Sequence, residues 1–244
     1  MMTHSQPSRT PLRVAVTGGT SGLGLALVDA FAARGDQVAF VARDADRVAR
    51  VAHEIAGSHG IVGDVAKKED VHAVALQIGG ALGGLDVLIH NASSLGPVPL
   101  ALLADTECED FEAALAANLL GPFRLTKALL GLLAASARES RRDGAGAVVV
   151  NVSSDAAVTP YPGWGAYGAS KAALHHLSRI WDAELREHGV RVFSVDPGDM
   201  DTPLHALAVP DADPATLKRP GDAAREIVAR IDRERAAAGA RDPA

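Results

Sequence analysis

Apolar residues cluster along the chain in short runs that do not alternate with polar ones, at 12–17, 37–42, 60–62, 85–90, 146–152 and 190–195. A strand with one wet face alternates, so continuous Val, Ile, Leu and Ala runs predict strands covered on both faces. Between these runs the apolar positions recur at three- and four-residue spacing over 23–34, 44–56, 67–82, 107–136 and 166–188, and a further helical stretch covers 221–238. Such spacing predicts helices with one buried side. Regular alternation of strand and helix is the order that builds an α/β domain with a doubly wound parallel sheet, six strands here, in three layers. No internal repeat interrupts it. One domain is expected over 12–238, between polar tails at 1–11 and 239–244.

Local punctuation refines the boundaries. Thr106-Glu107-Cys108-Glu109 offers a capping box, and Thr202-Pro203 and Asp213-Pro214 each place a capping side chain before a proline suited to a first helical turn. The arginine-rich segment 137–146, ending in Asp143-Gly144-Ala145-Gly146, reads as a surface loop between a long helix and the fifth strand.

Composition narrows the function classes. Of 244 residues, 48% are hydrophobic but only 4% aromatic, so the core is expected to consist of Ala, Val and Leu. The net charge of -6 with no basic block argues against nucleic acid as a partner, and Arg138, Arg141 and Arg142 read as a solvated cluster. The single cysteine, Cys108, cannot close an internal disulfide, and no metal-ligand spacing is present, so no metal is expected and a reducing cytoplasm fits. Neither a signal peptide nor an apolar run long enough to cross a bilayer is evident, so no membrane association is expected.

In an open parallel sheet the ligand sits beyond the carboxyl ends of the strands, and the residues found there carry chemistry. After the first strand comes Thr17-Gly18-Gly19-Thr20-Ser21-Gly22-Leu23-Gly24, opening a helix with Leu23, Leu27, Val28 and Phe31 on one side. Gly18 can make a tight turn, Gly22 can let backbone approach a pyrophosphate, Gly24 can permit close helix packing, and the helix start offers free N–H groups. After the second strand, Ala42-Arg43 supplies a cation where an NAD site usually has a carboxylate, which favours the 2'-phosphate of NADP. Asp44 could instead reach a ribose hydroxyl, which leaves NAD open. Further on, Tyr167-Gly168-Ala169-Ser170-Lys171 puts a phenol and an ammonium one turn apart on a helix face. A nearby cation is expected to lower the phenol pKa. Alone, such a pair is most often a solvated helix face.

With the glycine turn and a Ser/Tyr/Lys set in this order, the chain resembles the short-chain dehydrogenase/reductase family in its single-domain, Rossmann-like form, over about residues 12–225. The resemblance implies an NAD(P)-dependent oxidoreductase that exchanges hydride between nicotinamide and a small carbonyl or alcohol. It implies catalytic roles for Ser154, thirteen residues before Tyr167, for Tyr167 as general acid and base, for Lys171, and for Asn118 in a proton path. Cofactor contacts follow for Gly18, Thr20, Ser21, Gly22, Leu23, Gly24, Arg43, Asp64, Val65, Asn91, Ala92, Tyr167, Lys171, Pro197, Gly198, Met200 and Thr202. Members usually read Asn-Asn-Ala-Gly where this chain has His90-Asn91-Ala92-Ser93, so His90 and Ser93 are departures. They also close with a seventh strand, of which no sign appears here. A homodimer through helices 107–136 and 166–188 is expected, with His175 and His176 in packing or the interface. Ser94, Leu95, Asp155, Trp164, Met200, Leu204 and His205 are the expected pocket walls, beside a lid over 203–219. The alternative is a catalytically silent nucleotide-binding regulator or scaffold on the same fold.

Overall fold

The computed structural model describes residues 10–239. Most of both expected tails, 1–9 and 240–244, lies outside the described residues. The described residues form one parallel sheet of six strands, β1 Arg13–Thr17, β2 Gln37–Ala42, β3 Ser58–Val62, β4 Val87–His90, β5 Ala147–Val152 and β6 Val190–Val195. Their order is β3-β2-β1-β4-β5-β6, and among the described residues no seventh strand extends it. The chain reverses direction across the sheet between β1 and β4, where Val16 pairs with Ile89 and Thr17 with His90. A crevice opens at that switch point, at the carboxyl ends of the two strands.

Successive strand residues face opposite sides, and each side has its own core. Val14, Val16, Val148 and Val150 pack under α1 Gly22–Ala33, α2 Ala45–Glu54 and α8 Pro220–Gly239. Ala15, Ala39, Val41 and Val149 pack under α3 Asp70–Leu82, α5 Gly121–Ser140 and α6 Gly165–Leu185. Full burial of β5, where all six residues are buried, is the physical source of its unalternated valine run.

The expected helix over 107–136 is longer and interrupted. It consists of α4 Cys108–Leu115, a π-helical turn Ala116–Leu120 and α5, so that the 137–146 segment is helical through Ser140 and not a loop. Leu129, Leu133 and Ala137 continue one buried stripe, and Ser136 donates its place in that stripe to the sheet by accepting from the Leu85 N–H at 2.8 Å. These contacts outweigh the polar composition of the segment. By length and composition Cys108–Ser140 could cross a membrane; here its apolar stripe covers the sheet. The Thr106 capping box does not form: Glu107 is the cap residue without a side-chain bond, and Thr106 donates to the Leu102 carbonyl. Thr202 and Asp213 do cap, accepting from the His205 and Ala215 N–H groups at 3.2 and 2.9 Å. Helix α8 runs one residue past the expected domain end, to Gly239.

Candidate active site

The glycine turn is held by the strands on either side of it. Gly18 has φ +72° and donates its N–H to the Val41 carbonyl at 2.8 Å, while Gly22 has φ +51°, both in the region open to glycine. A Cβ on Gly24 would collide with the Gly18 carbonyl oxygen, which is why the third glycine is needed. Ser21 is the cap residue of α1 but makes no side-chain cap bond, so the first N–H groups of the helix keep their capacity for an anion. This cradle fits a dinucleotide pyrophosphate. Leu23 is buried in the core, so only its backbone can take part.

Asn91 locks this turn to β4. Its Nδ2 donates to the Thr17 and Gly18 carbonyls at 3.1 and 3.2 Å, and the Thr17 hydroxyl accepts from the Asn91 and Ala92 N–H groups, both at 3.1 Å. Thr17 is thus a structural key of the site that sequence reasoning passed over, although it stands at the head of the glycine segment. His90 is buried against the Thr126 hydroxyl at 2.8 Å, and burial lowers its pKa to about 3, so it is a neutral core residue.

Beyond β2 and β3, Arg43 lines a cleft of about 350 Å³ with Asp64 and Lys67. Among the described residues the Arg43 side chain has no hydrogen-bond or ion-pair partner. Asp44, its rival, caps α2 by accepting from the Arg47 N–H at 3.0 Å. Asp64 is folded back onto its own loop, accepting from the Ala66 N–H at 3.0 Å, and Val65 is buried beneath it. Helix α3 starts at Asp70, not at 67, because the Asp70 carboxylate accepts from the Asp64 N–H at 2.9 Å and shapes the preceding turn.

At the ends of β4, β5 and α6 the expected catalytic set comes together. Tyr167 and Lys171 are both buried, 7% and 2% exposed, with the ammonium 5.5 Å from the phenol ring centroid. The Lys171 Nζ donates to the Val152 carbonyl at 2.7 Å, and burial lowers its pKa to about 8. Lys171 was expected to depress the phenol pKa. Instead burial pushes Tyr167 up to about 12; hydrogen bonds with Ser154 and Ser93 pull the other way, and the charges of Asp196 and Asp155 add to the rise. Burial disfavours the charged form of each group, which raises the phenol and lowers the ammonium.

Asn118 lies in the π-helical turn and is fully buried. Its Oδ1 accepts from the Ser94 N–H at 2.8 Å and the Ser93 hydroxyl at 3.1 Å; its Nδ2 donates to the Ser94 carbonyl at 2.7 Å and the Ser170 hydroxyl at 2.8 Å. Ser170 in turn donates to the Tyr167 carbonyl at 2.6 Å. The departure at Ser93 thus supplies a further bond to Asn118, and Ser170, within the Tyr/Lys segment, joins that asparagine to the helix that carries Tyr167. Locally wound π turns recur at functional sites because they turn one side chain out of register.

Ser154 closes β5. Its hydroxyl donates to Asp155 Oδ1 at 2.9 Å and accepts from the Ala156 N–H at 3.2 Å. Among the described residues the buried Ser153 hydroxyl has no hydrogen-bond partner. Leu95, Trp164 and Leu204 pack against Tyr167 as expected pocket walls, the Trp164 ring edge-on at 5.7 Å, whereas Met200 joins the core on the α1 side. The Pro197-Gly198 turn uses φ +77° at Gly198, and the Thr202 side chain lies against Gly22, so this loop and the glycine turn face each other. The segment 203–219 is pinned at both ends: Thr202 caps α7 Pro203–Ala208, and Lys218 pairs with Met200 while its N–H donates to the Asp199 carbonyl at 3.0 Å. His175 and His176 are exposed on α6. Among the described residues no group of His, Cys, Asp and Glu is placed to hold a metal.

The profile of the short chain dehydrogenase family matches residues 13–213. The chain belongs to that family. It is 33% identical over 228 residues to a glucose 1-dehydrogenase of Gluconobacter oxydans, covering 88% of this chain and 81% of that one. It is 35% identical over 202 residues to an uncharacterized short-chain type dehydrogenase/reductase of Sinorhizobium fredii; that match covers 82% of this chain but spans about a third, 34%, of the relative's length. Among solved structures, a short chain dehydrogenase of Shigella flexneri complexed with NADP superposes with a TM-score of 0.77 at 28% identity, covering 86% of each chain. A 3-ketoacyl-(acyl-carrier-protein) reductase of Brucella melitensis complexed with NADH superposes with a TM-score of 0.79 at 27% identity, covering 88% of each. Membership makes this chain an NAD(P)-dependent oxidoreductase, and nothing in the comparisons favours a silent regulator.

Proposed function

We propose that the protein is an NADP-preferring carbonyl reductase with Tyr167 as its general acid. The observation that carries this reading is the buried Tyr167–Lys171 pair beside Ser154, where among the described residues the ammonium has a carbonyl but no carboxylate to answer it. When bound, the nicotinamide supplies the hydride to the carbonyl carbon, and the chain's residues position the reactants and manage one proton. Tyr167 gives its phenolic proton to the carbonyl oxygen. A phenol held near 12 is protonated at neutral pH and so has a proton to give. Ser154 hydrogen-bonds the same oxygen as charge grows on it. Lys171 places positive charge beside the phenol and would hold the cofactor ribose, and Asn118 fixes the loop at Ser94 against α6.

The NADP preference is supported by the unpartnered guanidinium of Arg43 and by the engagement of Asp44 at its helix cap. Thr20, Ser21, Pro197 and Gly198 complete the proposed cofactor contacts. Following nicotinamide absorbance while aldehydes, ketones and alcohols are screened tests the reading; NADPH binding without turnover of any of them would contradict it.

We also infer a two-fold dimer through α4, α5 and α6, in a cytoplasmic protein whose one cysteine is exposed and free. Phe123 and Ile180, 36% and 43% exposed, give that face its apolar character, and Phe123 stacks on Trp181 at 6.0 Å. Light scattering on wild type and Leu177→Glu checks it: a dimer that becomes a monomer is expected.

A further inference from the structure

Asp155 is a carboxylate set against the chemistry proposed around it. Its Oδ1 accepts the hydrogen bond of the Ser154 hydroxyl at 2.9 Å, the same bond that Ser154 must offer a carbonyl oxygen in the proposed reaction. Its Oδ2 accepts from the Tyr161 hydroxyl at 2.7 Å, and the Tyr161 ring leans on Trp164, which meets Tyr167. Negative charge here disfavours the alkoxide-like oxygen of the transition state and the phenolate left after Tyr167 has donated. The groups whose charges bear on that phenol are Lys171 on its own helix and Asp196 and Asp155 on the loops after β6 and β5; titratable His205 follows on α7. Among the described residues no cation is paired with Asp155, which is exposed. An asparagine would bridge Ser154 and Tyr161 without the charge. A local arrangement that works against its own site points to a compensating role with a ligand.

We infer that Asp155 is a specificity residue that binds a hydrogen-bond donor, hydroxyl or ammonium, on the carbon next to the reacting carbonyl. The inference rests on the reductase reading above. Reach supports it: Ser154 Oγ lies 2.9 Å from the carboxylate and, in that reading, at hydrogen-bond distance from the substrate oxygen, so a vicinal substituent comes within about 3 Å of the carboxylate. The donor also draws the carboxylate's negative charge into a hydrogen bond, which frees the Ser154 proton for the carbonyl. The substrate class is therefore an α-hydroxy or α-amino carbonyl compound, polar on the Asp155 side and apolar toward Leu95 and Leu204.

The test compares kcat/KM with NADPH for matched trios, acetophenone with its 2-hydroxy and 2-amino derivatives and 2-butanone with its 3-hydroxy and 3-amino derivatives. The donor-bearing members should exceed the plain ketone by about ten- to a hundredfold, the range of a hydrogen bond to a charged group, and Asp155→Asn should collapse that ratio toward unity. The amino and hydroxy arms tell which donor is preferred. Tyr161→Phe keeps the carboxylate and should keep the ratio. A ratio near unity in the wild type, or one unchanged in a folded, NADPH-binding Asp155→Asn, overturns the inference while leaving the reductase reading standing. No turnover of any ketone, with NADPH fluorescence titrating normally, would sink both.

Discussion

The two ends of the sheet hold similar buried charges in opposite ways. At the amino end Asp86, nearly buried, is gripped by Arg13 through Nε at 3.0 Å and Nη2 at 3.1 Å, and Arg13 reaches on to Ser136 and Glu139. Arg235 approaches the same carboxylate at 3.9 Å. At the carboxyl end Lys171 is as deeply buried and, among the described residues, meets the Val152 carbonyl and the Tyr167 ring but no carboxylate, while His90 is kept neutral. One end closes its network of opposite charges; the other, among the described residues, offers its ammonium no counter-charge, the arrangement on which the proposed proton step rests. The difference follows from topology, because only the carboxyl ends open onto the switch-point crevice.

Breaking the closed end should bring the largest loss of stability. Asp86→Ala removes the bidentate partner of partly buried Arg13, leaving it Glu139 and Ser136, and should destabilise the fold by about 3 kcal/mol, the low end for a broken buried pair, with little change in KM for the protein that remains folded; denaturant unfolding and initial rates measure both. A loss below about 1 kcal/mol would mean that the network is ornamental.

At the open end the loss should fall on turnover instead. Tyr167→Phe should lower kcat by about a hundredfold or more and leave NADPH affinity nearly intact. Retention of more than about a tenth of the wild-type rate would remove Tyr167 from the proton step.

Lys171→Met sharpens the contrast, because here stability should move the other way. The folded pKa, about 8, lies below the ordinary 10.5, so the unfolded chain binds more protons between these values and folding stability rises with pH through that window. The burial cost is therefore full below pH 8 and relieved above 10.5. At pH 7 the inactive methionine variant should be more stable than wild type by roughly 1–2 kcal/mol, after allowing for the bond lost at Val152, and the advantage should vanish by pH 10.5. Thermal melts across that range would show it.

The smallest effect is expected in the cofactor half. Ala42→Asp places a carboxylate beside Arg43 and should turn an NADPH preference into an NADH preference, a change of about tenfold in each affinity. Equal wild-type affinities for the two cofactors would take Arg43 out of the site.

What the chain's pattern determined by itself was the scaffold. Unalternated valine runs announce strands buried on both faces, three- and four-residue spacing announces their covering helices, and glycines at 18, 22 and 24 announce a turn that other residues cannot make, because each of these follows from local geometry and solvent exclusion. Tyr167 and Lys171 were legible for the same reason, one helical turn bringing them near one another, whereas Ser154 was legible only through the family resemblance, by its separation from Tyr167. The rest depended on partners distant in sequence. Thr17 clamps Asn91 across 74 residues, Asn118 meets Ser170 across 52, and Ser136 reaches Leu85 across 51, which turned an expected loop into helix. Only the packed structure could decide the direction in which the phenol and ammonium pKa values move, since it is set first by burial, which no spacing reveals. It alone also turned Asp155 toward Ser154, because the short helical turn after β5 sets where both side chains point.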